Sequence, residues 1–254
     1  MAIGIIPARW GASRLPGKPL AMIGDRPLIV HVLQNAARAE RLREVLVATD
    51  DDRIVAAVEA AGGRAVLTAS DHPSGTDRVA EAAQAFDDDI IVNIQGDEPE
   101  INPSTIDAIC ELLERDTELA ITTAASPLGS AEDHQSPHCV KVVRDSASRA
   151  LYFSRAPIPH FRDPVDFVSD ADILQGELVL SHIGIYAYRR GALTKLVSMP
   201  PSSLEQAEKL EQLRALEAGM KIGVAVVNEF ARGIDTPNDL DAFRQRIEAA
   251  NQSD

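Results

Sequence analysis

The sequence predicts an α/β fold: a doubly wound, mostly parallel, Rossmann-like sheet with a small inserted subregion. Three observations predict it. Short, nearly all-apolar runs recur through the first half, each followed by a helical pattern. Such runs are buried on both faces, as strands of a helix-covered parallel sheet are. The same rhythm returns near the C-terminus after an irregular stretch.

Ile3–Ile6 reads as the first strand, followed by a Gly-, Pro- and Arg-rich loop to Pro19. Pro27 suits the first turn of a helix running towards Arg38. Val45–Ala48 is the next strand, and a helix from about Asp52 to Ala61 stops at Gly62-Gly63. Ala65–Leu67, a helix over Thr76–Phe86 and the strand Ile90–Ile94 continue the alternation. Pro103–Arg115 is helical and Leu119–Ala124 extended, with a polar loop over 126–138. Val140–Val143, Ala150–Phe153 and Ser181–Tyr188 have strand character. A helix over 204–218, a strand Ile222–Val227 and a helix over 238–249 close the chain. The expected organisation is a single domain over residues 1–254, interrupted by an inserted subregion at 138–188. That subregion carries Phe153, Ile158, Phe161 and Phe167 outside the alternating pattern. It is the expected interface of a two-fold homodimer, the commonest soluble assembly.

The 254 residues carry a net charge of −14, which argues against nucleic acid as the main partner. No apolar run approaches the roughly 18–20 residues that span a membrane, so no membrane insertion is expected. The first residues lack a basic segment and a cleavage site and read as a strand, not a signal peptide. Cys110 and Cys139 offer no disulfide framework, so the expected compartment is the reducing cytoplasm.

Chemistry concentrates in Ile6-Pro-Ala-Arg-Trp-Gly-Ala-Ser-Arg-Leu-Pro-Gly-Lys-Pro-Leu20. Ligands of a parallel α/β sheet sit beyond the carboxyl ends of its strands, where this loop begins. Arg9, Arg14 and Lys18 stand among small residues that let a backbone approach an anion, and three cations suit a triphosphate. A solvated basic loop is the plainer alternative. The loop is not a Walker A motif: the spacing of Gly11 and Gly17 is one residue too long, and Pro19 replaces the Ser or Thr. No Gly-x-Gly-x-x-Gly marks an NAD site.

Ser74-Gly75-Thr76 precedes a helix, so its hydroxyls and free N–H groups suit a base or ribose, or simply cap the helix. Asp97 follows the strand ending at Ile94 and suits Mg²⁺ or a turn. Asp235 stands before a helix begun by Thr236 and Pro237, where a carboxylate also complements the dipole. Glu211, two turns beyond Leu204 on an apolar helix face, needs a salt-bridge partner or a polar ligand. His134 and His138 are four apart, but Pro137 spoils a zinc-binding helix.

Six segments, in order along the chain, resemble the CMP-Kdo synthetase (3-deoxy-manno-octulosonate cytidylyltransferase) family of nucleotidyltransferases. They are the loop above, His72-Pro-Ser-Gly-Thr-Asp-Arg78, Asn93-Ile-Gln-Gly-Asp-Glu-Pro99, Tyr152-Phe-Ser-Arg-Ala-Pro-Ile-Pro159, His182-Ile-Gly-Ile-Tyr-Ala-Tyr188 and Gly233-Ile-Asp-Thr-Pro-Asn-Asp-Leu240. The resemblance implies a nucleotidyltransferase fold, a dimer, and an Mg²⁺-dependent reaction of CTP with the acidic sugar Kdo, which feeds lipopolysaccharide assembly. It implies nucleotide contacts from Ala8, Arg9, Ser13, Arg14, Lys18, Ser74, Gly75, Thr76, Arg78, Gln95 and Gly96. Arg14, Lys18, Asp97 and Asp235 become the catalytic set, with Asp97 and Asp235 as joint Mg²⁺ ligands. It favours His182, Tyr186, Glu211 and Gln212 as contacts to sugar hydroxyls, with Arg155 facing the sugar carboxylate. The alternatives are a cytidylyltransferase for sialic acid or amino-Kdo, and a nucleotide-binding regulator without turnover.

Overall fold

Ala2–Ala8 forms a strand (β1) buried at every residue but Pro7. A strand so apolar requires cover on both faces. The computed structural model describes residues 1–11, 16–163, 178–228, 233–234 and 236–251. The chain divides into two units, Met1–Asp107 with Ala231–Asp254, and Ala108–Phe230.

In the first unit, β1 pairs in parallel with β4 (Leu42–Thr49) and with β6 (Ile90–Asn93), and β4 pairs in parallel with β5 (Arg64–Leu67). Between β1 and β4 lie a small hairpin, β2 (Met22–Ile23) with β3 (Arg26–Pro27), and α1 (Leu28–Ala36). Helix α2 (Asp52–Ala60) joins β4 to β5, and α3 (Gly75–Ala83) joins β5 to β6. Helix α1 packs on β1 and β4, α2 on β4 and β5, and α3 on β1, β4 and β6. The strand order β5-β4-β1-β6 runs outward from β1 in one direction and then returns to its other side. That reversal makes the carboxyl ends of β1 and β6 a topological switch point, where such sheets bind ligands.

Helix α4 (Pro103–Arg115) leads into the second unit. There β7 (Ile121–Pro127) pairs in parallel with β11 (Ile222–Val226) and antiparallel with β10 (Leu180–Arg189). An antiparallel pair, β8 (Lys141–Arg144) and β9 (Ala150–Ser154), continues from the start of β10. The mixed direction was not readable from apolar runs alone. Nor was α5 (Ala131–Gln135), which lies inside the expected polar loop and is capped by Ser130. Helix α6 (Arg190–Ser198) follows β10, and α9 (Pro237–Asn251) closes the chain in the first unit.

The helix expected over 204–218 breaks in two. Helix α7 (Ser203–Glu208) starts with a complete capping box between Ser202 and Glu205. Lys209 then turns left-handed (φ 56°, ψ 46°), and α8 (Gln212–Glu217) begins anew. Leu204 consequently stays exposed while Leu213 is buried, so the single apolar face does not form. Arg214 ties the two pieces through Glu205 at 2.6 and 2.7 Å. The aromatic residues of the expected interface subregion turn inward instead. Phe153 is fully buried, and Phe161 packs against Leu128 and Val179, because β9 and the following segment fold onto the core. Phe167 lies outside the described residues.

Candidate active site

The loop after β1 begins beside the switch point. Ala8 is buried at the strand end and Arg9 is exposed. Ser13 and Arg14 lie outside the described residues. The chain reappears at a left-handed Gly17 (φ 72°), whose N–H donates to the Trp10 carbonyl at 3.1 Å. Lys18–Leu20 forms one 3₁₀ turn, with Pro19 buried. From this turn Lys18 Nζ reaches Asp97 Oδ2 at 2.7 Å.

Asp97 is held by the turn that follows β6. A Cβ on Gly96 would stand 2.9 Å from the Pro7 carbonyl oxygen, so only glycine lets this turn approach β1 so closely. Gln95 accepts through its backbone carbonyl from Glu98 N–H at 3.3 Å, closing the turn. The Asp97 carbonyl accepts from Ile234 N–H at 2.8 Å, which fastens the segment before α9 to the same turn. Asp235 itself lies outside the described residues. Asp97 Oδ1 has no hydrogen-bond partner among the described residues.

The start of α3 stands at the same sheet edge. Ser74 Oγ accepts from Asp77 N–H at 3.2 Å and donates to its carboxylate at 2.6 Å, so its side chain serves as the cap. Gly75 packs against Pro7, and a Cβ there would come to 3.3 Å from that ring. Thr76 is buried and receives a hydrogen bond from Asn93 at 3.4 Å. Arg78 is also buried. Its guanidinium donates to Thr68 Oγ1 and pairs with Asp50 Oδ2 at 3.2 Å. Arg78 therefore braces the loop between β5 and α3 against the end of β4. Nothing in the linear pattern marks Asp50 as the partner of Arg78.

The second unit gathers the residues expected to meet an acidic sugar into three places. His182 and Tyr186 meet on β10, where a register shift brings their rings to 5.5 Å. Phe153 meets the His182 ring edge-on at 5.0 Å. The residue keeps some exposed surface, yet this enclosure pushes the imidazole pKa down to about 3. Thr123 Oγ1 lies 2.7 Å from the Ile185 carbonyl, 3.1 Å from that of Ile183 and 2.9 Å from His182 Nε2. A hydroxyl has one proton, and a carbonyl takes it. The hydrogen-bond network thus assigns the neutral ring an Nε2–H donor, leaving Nδ1 as an acceptor.

Arg155, just after β9, donates through Nε to the Glu208 carbonyl at 2.8 Å and through Nη1 to the Pro137 carbonyl at 2.9 Å. Glu208 spends its carboxylate on Ser154 Oγ and the Arg155 N–H. The guanidinium is thus held by neutral oxygens, with no ion-paired carboxylate among the described residues. Lys141 backs this arrangement. It is fully buried, and its ammonium donates to the carbonyls of Ser136, Cys139 and Arg155 at 2.6–2.8 Å. Burial lowers its pKa. A lysine in an apolar strand pattern gave no hint of this role. Glu211 and Gln212 stand at the start of α8. Glu211 Oε1 is closed off from solvent, as is Gln212 Nε2, which has no acceptor among the described residues.

Among the described residues no group of three or more His, Cys, Asp or Glu side chains is placed to hold a metal ion. A hard cation at this edge fits a different donor set: the open oxygen of Asp97, a second carboxylate and substrate phosphates. No helix among the described residues is long and apolar enough to cross a membrane.

A sequence profile of the cytidylyltransferase family matches residues 3–222. The chain is 47% identical to a 3-deoxy-manno-octulosonate cytidylyltransferase of Geobacter sulfurreducens over 96% of its length and 98% of that protein's. It is 51% identical to the enzyme of the same name from Syntrophobacter fumaroxidans, over 94% of each chain. Among solved structures it resembles a CMP:2-keto-3-deoxy-manno-octonic acid synthetase complexed with CTP, with a TM-score of 0.89 and 42% identity over 98% of this chain and 99% of that one. A cytidylyltransferase of Leptospira borgpetersenii shares the fold at a TM-score of 0.63 and 18% identity over 98% of this chain and 87% of that one.

Proposed function

The chain belongs to the 3-deoxy-manno-octulosonate cytidylyltransferase family, and on that premise we propose that it joins CTP to Kdo, giving CMP-Kdo and pyrophosphate. The anomeric hydroxyl of the sugar attacks the α-phosphorus, the bond to the β-phosphate oxygen breaks, and the hydroxyl proton leaves to solvent. Catalysis of this kind is mostly positioning and charge stabilisation. One observation supports the reading above the others: Lys18 and Asp97 meet at the switch point of a parallel sheet.

Lys18 and Arg14 neutralise charge that grows on the phosphates. Asp97 and Asp235 would hold Mg²⁺, which when bound would supply positive charge at the phosphates. The nucleoside lies at the start of α3, against Gly75 and Thr76, with Ser74 and Arg78 bracing that end from within. Arg155 receives the sugar carboxylate, because its guanidinium meets only carbonyl oxygens among the described residues. His182 Nδ1, Tyr186, Glu211 and Gln212 take sugar hydroxyls. The product supplies lipopolysaccharide assembly in the cytoplasm.

The active form is a homodimer built through the 138–188 subregion, where Leu151 and Leu178 leave apolar surface exposed. Sedimentation at micromolar concentration tests it, and a monomer alone would refute it.

Pyrophosphate release, measured for CTP and UTP against Kdo, its amino analogue and sialic acid, tests the activity. Release is expected with CTP and Kdo and only when Mg²⁺ is present. Faster release with sialic acid would reassign the sugar. No release with any pair would leave a nucleotide-binding regulator.

A further inference from the structure

Trp10 has no part in the substrate contacts proposed so far, and it is the only tryptophan of the chain. Its backbone carbonyl accepts the N–H of Gly17, so the two residues flank the start and end of the cation-bearing loop. Its ring lies against Gly17: a Cβ there would stand 2.8 Å from the indole Cη2. Arg53, from the first turn of α2, stacks its guanidinium over the indole with Cζ 3.5 Å from the ring centroid. Asp51 fixes that guanidinium through both carboxylate oxygens, at 2.6 and 2.9 Å, while also capping α2.

These contacts form one line. Asp51 holds Arg53, Arg53 holds Trp10, Trp10 abuts Gly17, and Gly17 precedes Lys18, which reaches Asp97. The line joins the carboxyl ends of β4, β1 and β6. Gly17 is the weak link, since glycine adopts positive and negative φ about equally well. Its N–H on the Trp10 carbonyl and its carbonyl on the Leu20 N–H hold it at φ 72° from two sides, and the indole closes a third.

We propose that Trp10 is a positioning residue for nucleotide binding: clamped by Arg53, its indole walls in Gly17 and so fixes the direction in which Lys18 leaves the loop. Arg53 acts through the ring and does not meet phosphate, because Asp51 already matches its charge. The inference rests on the reading of the first unit as the CTP site. Trp10 is only partly buried, so its removal acts on the geometry of the loop more than on the core.

Calorimetric titration with CTP, alongside steady-state kinetics for both substrates, tests the clamp. Trp10→Ala is expected to weaken CTP binding about tenfold, the scale of a lost positioning contact, with the sugar KM and the melting temperature nearly unchanged. Trp10→Phe keeps an aromatic wall and is expected to stay within about threefold of the parent protein. Arg53→Ala falls between them. Trp10→Ala binding CTP as tightly as the parent would overturn the proposal. So would parallel losses in CTP affinity, sugar KM and melting temperature, which mark a general structural role. A parent protein that binds no CTP would instead overturn the nucleotide reading itself, and the clamp with it.

Discussion

Lys18 Nζ lies 2.7 Å from Asp97 Oδ2 across 79 residues of sequence. The Lys18 side chain keeps 12% of its surface exposed and that of Asp97 35%. An ion pair that water still reaches at its carboxylate contributes modestly to stability. Its importance lies in where it puts two opposite charges, at the edge where β1 and β6 diverge. Lys18→Met is therefore expected to cut turnover by about two to three orders of magnitude, as loss of a charge-stabilising donor does, while melting moves little. A mild kinetic effect joined to a large melting shift would show that the pair is structural.

Asp97 and Asp235 are expected to behave as one unit. The Ile234 N–H donates to the Asp97 carbonyl at 2.8 Å, so the neighbour of Asp235 is fastened to the Asp97 turn. Asp97→Asn and Asp235→Asn should each reduce turnover by orders of magnitude, and the double variant should cost far less than the product of the two. Losses that multiply would show two independent roles.

On the sugar side, Arg155→Lys is expected to raise the KM for the acid sugar at least about tenfold and to leave that for CTP unchanged. A lysine cannot reproduce a fork already fixed by two carbonyls while still facing a carboxylate. Glu211→Ala should act in the same direction. If either change lowered thermal stability and spared the sugar kinetics, the residue would be a strut and not a contact.

Lys141→Met should destabilise the protein by about 2–5 kcal/mol, since it strands three buried carbonyls that share one ammonium. Urea unfolding measures this directly. A loss well under 1 kcal/mol would mean that the three carbonyls find other donors.

Stability should fall as pH drops from neutrality. The folded His182 has a pKa of about 3, against roughly 6.5 for the unfolded residue. Between those values the unfolded chain binds a proton that the folded chain does not, so stability is full above about pH 6.5 and declines below it. His134, also pushed down by burial, adds to the decline. Carboxylates held low by cations, such as Glu205 beside Arg214, lose their contribution only below about pH 4.5. Melting at pH 5 and pH 7.5 thus isolates the histidines. His182→Phe should show a smaller drop than the parent, and an equal drop would refute the assignment.

Much of this was legible in the sequence, for physical reasons. The strands β1, β4 and β6 are apolar on both faces, and Gly62, Ser74 and Pro103 mark helix ends by local chemistry. That Lys18 and Asp97 share one sheet edge was legible because their motifs follow strands. Other features depend on contacts the linear pattern does not carry. The break at Lys209 has no glycine to announce it, and Ala207, Leu210, Leu213 and Leu216 recur every three residues across it. The antiparallel direction of β10 leaves no trace in an apolar run. Arg78 read as a nucleoside contact, yet its guanidinium turns inward to Asp50 and Thr68.

The first unit is discontinuous, made from residues Met1–Asp107 and Ala231–Asp254. Helix α9 fastens to its early part through Arg244 on the Met22 carbonyl and Arg246 on Glu100. On a ribosome Lys18 and Asp97 therefore emerge well before residues 231–254. The whole of residues 108–230 must emerge before the two ends of that unit can meet. A product that ends before residue 231 lacks the second segment of that unit, including the Ile234 N–H that donates to the Asp97 carbonyl. The unit that carries Lys18 and Asp97 thus completes its fold only after the whole second unit has been synthesised.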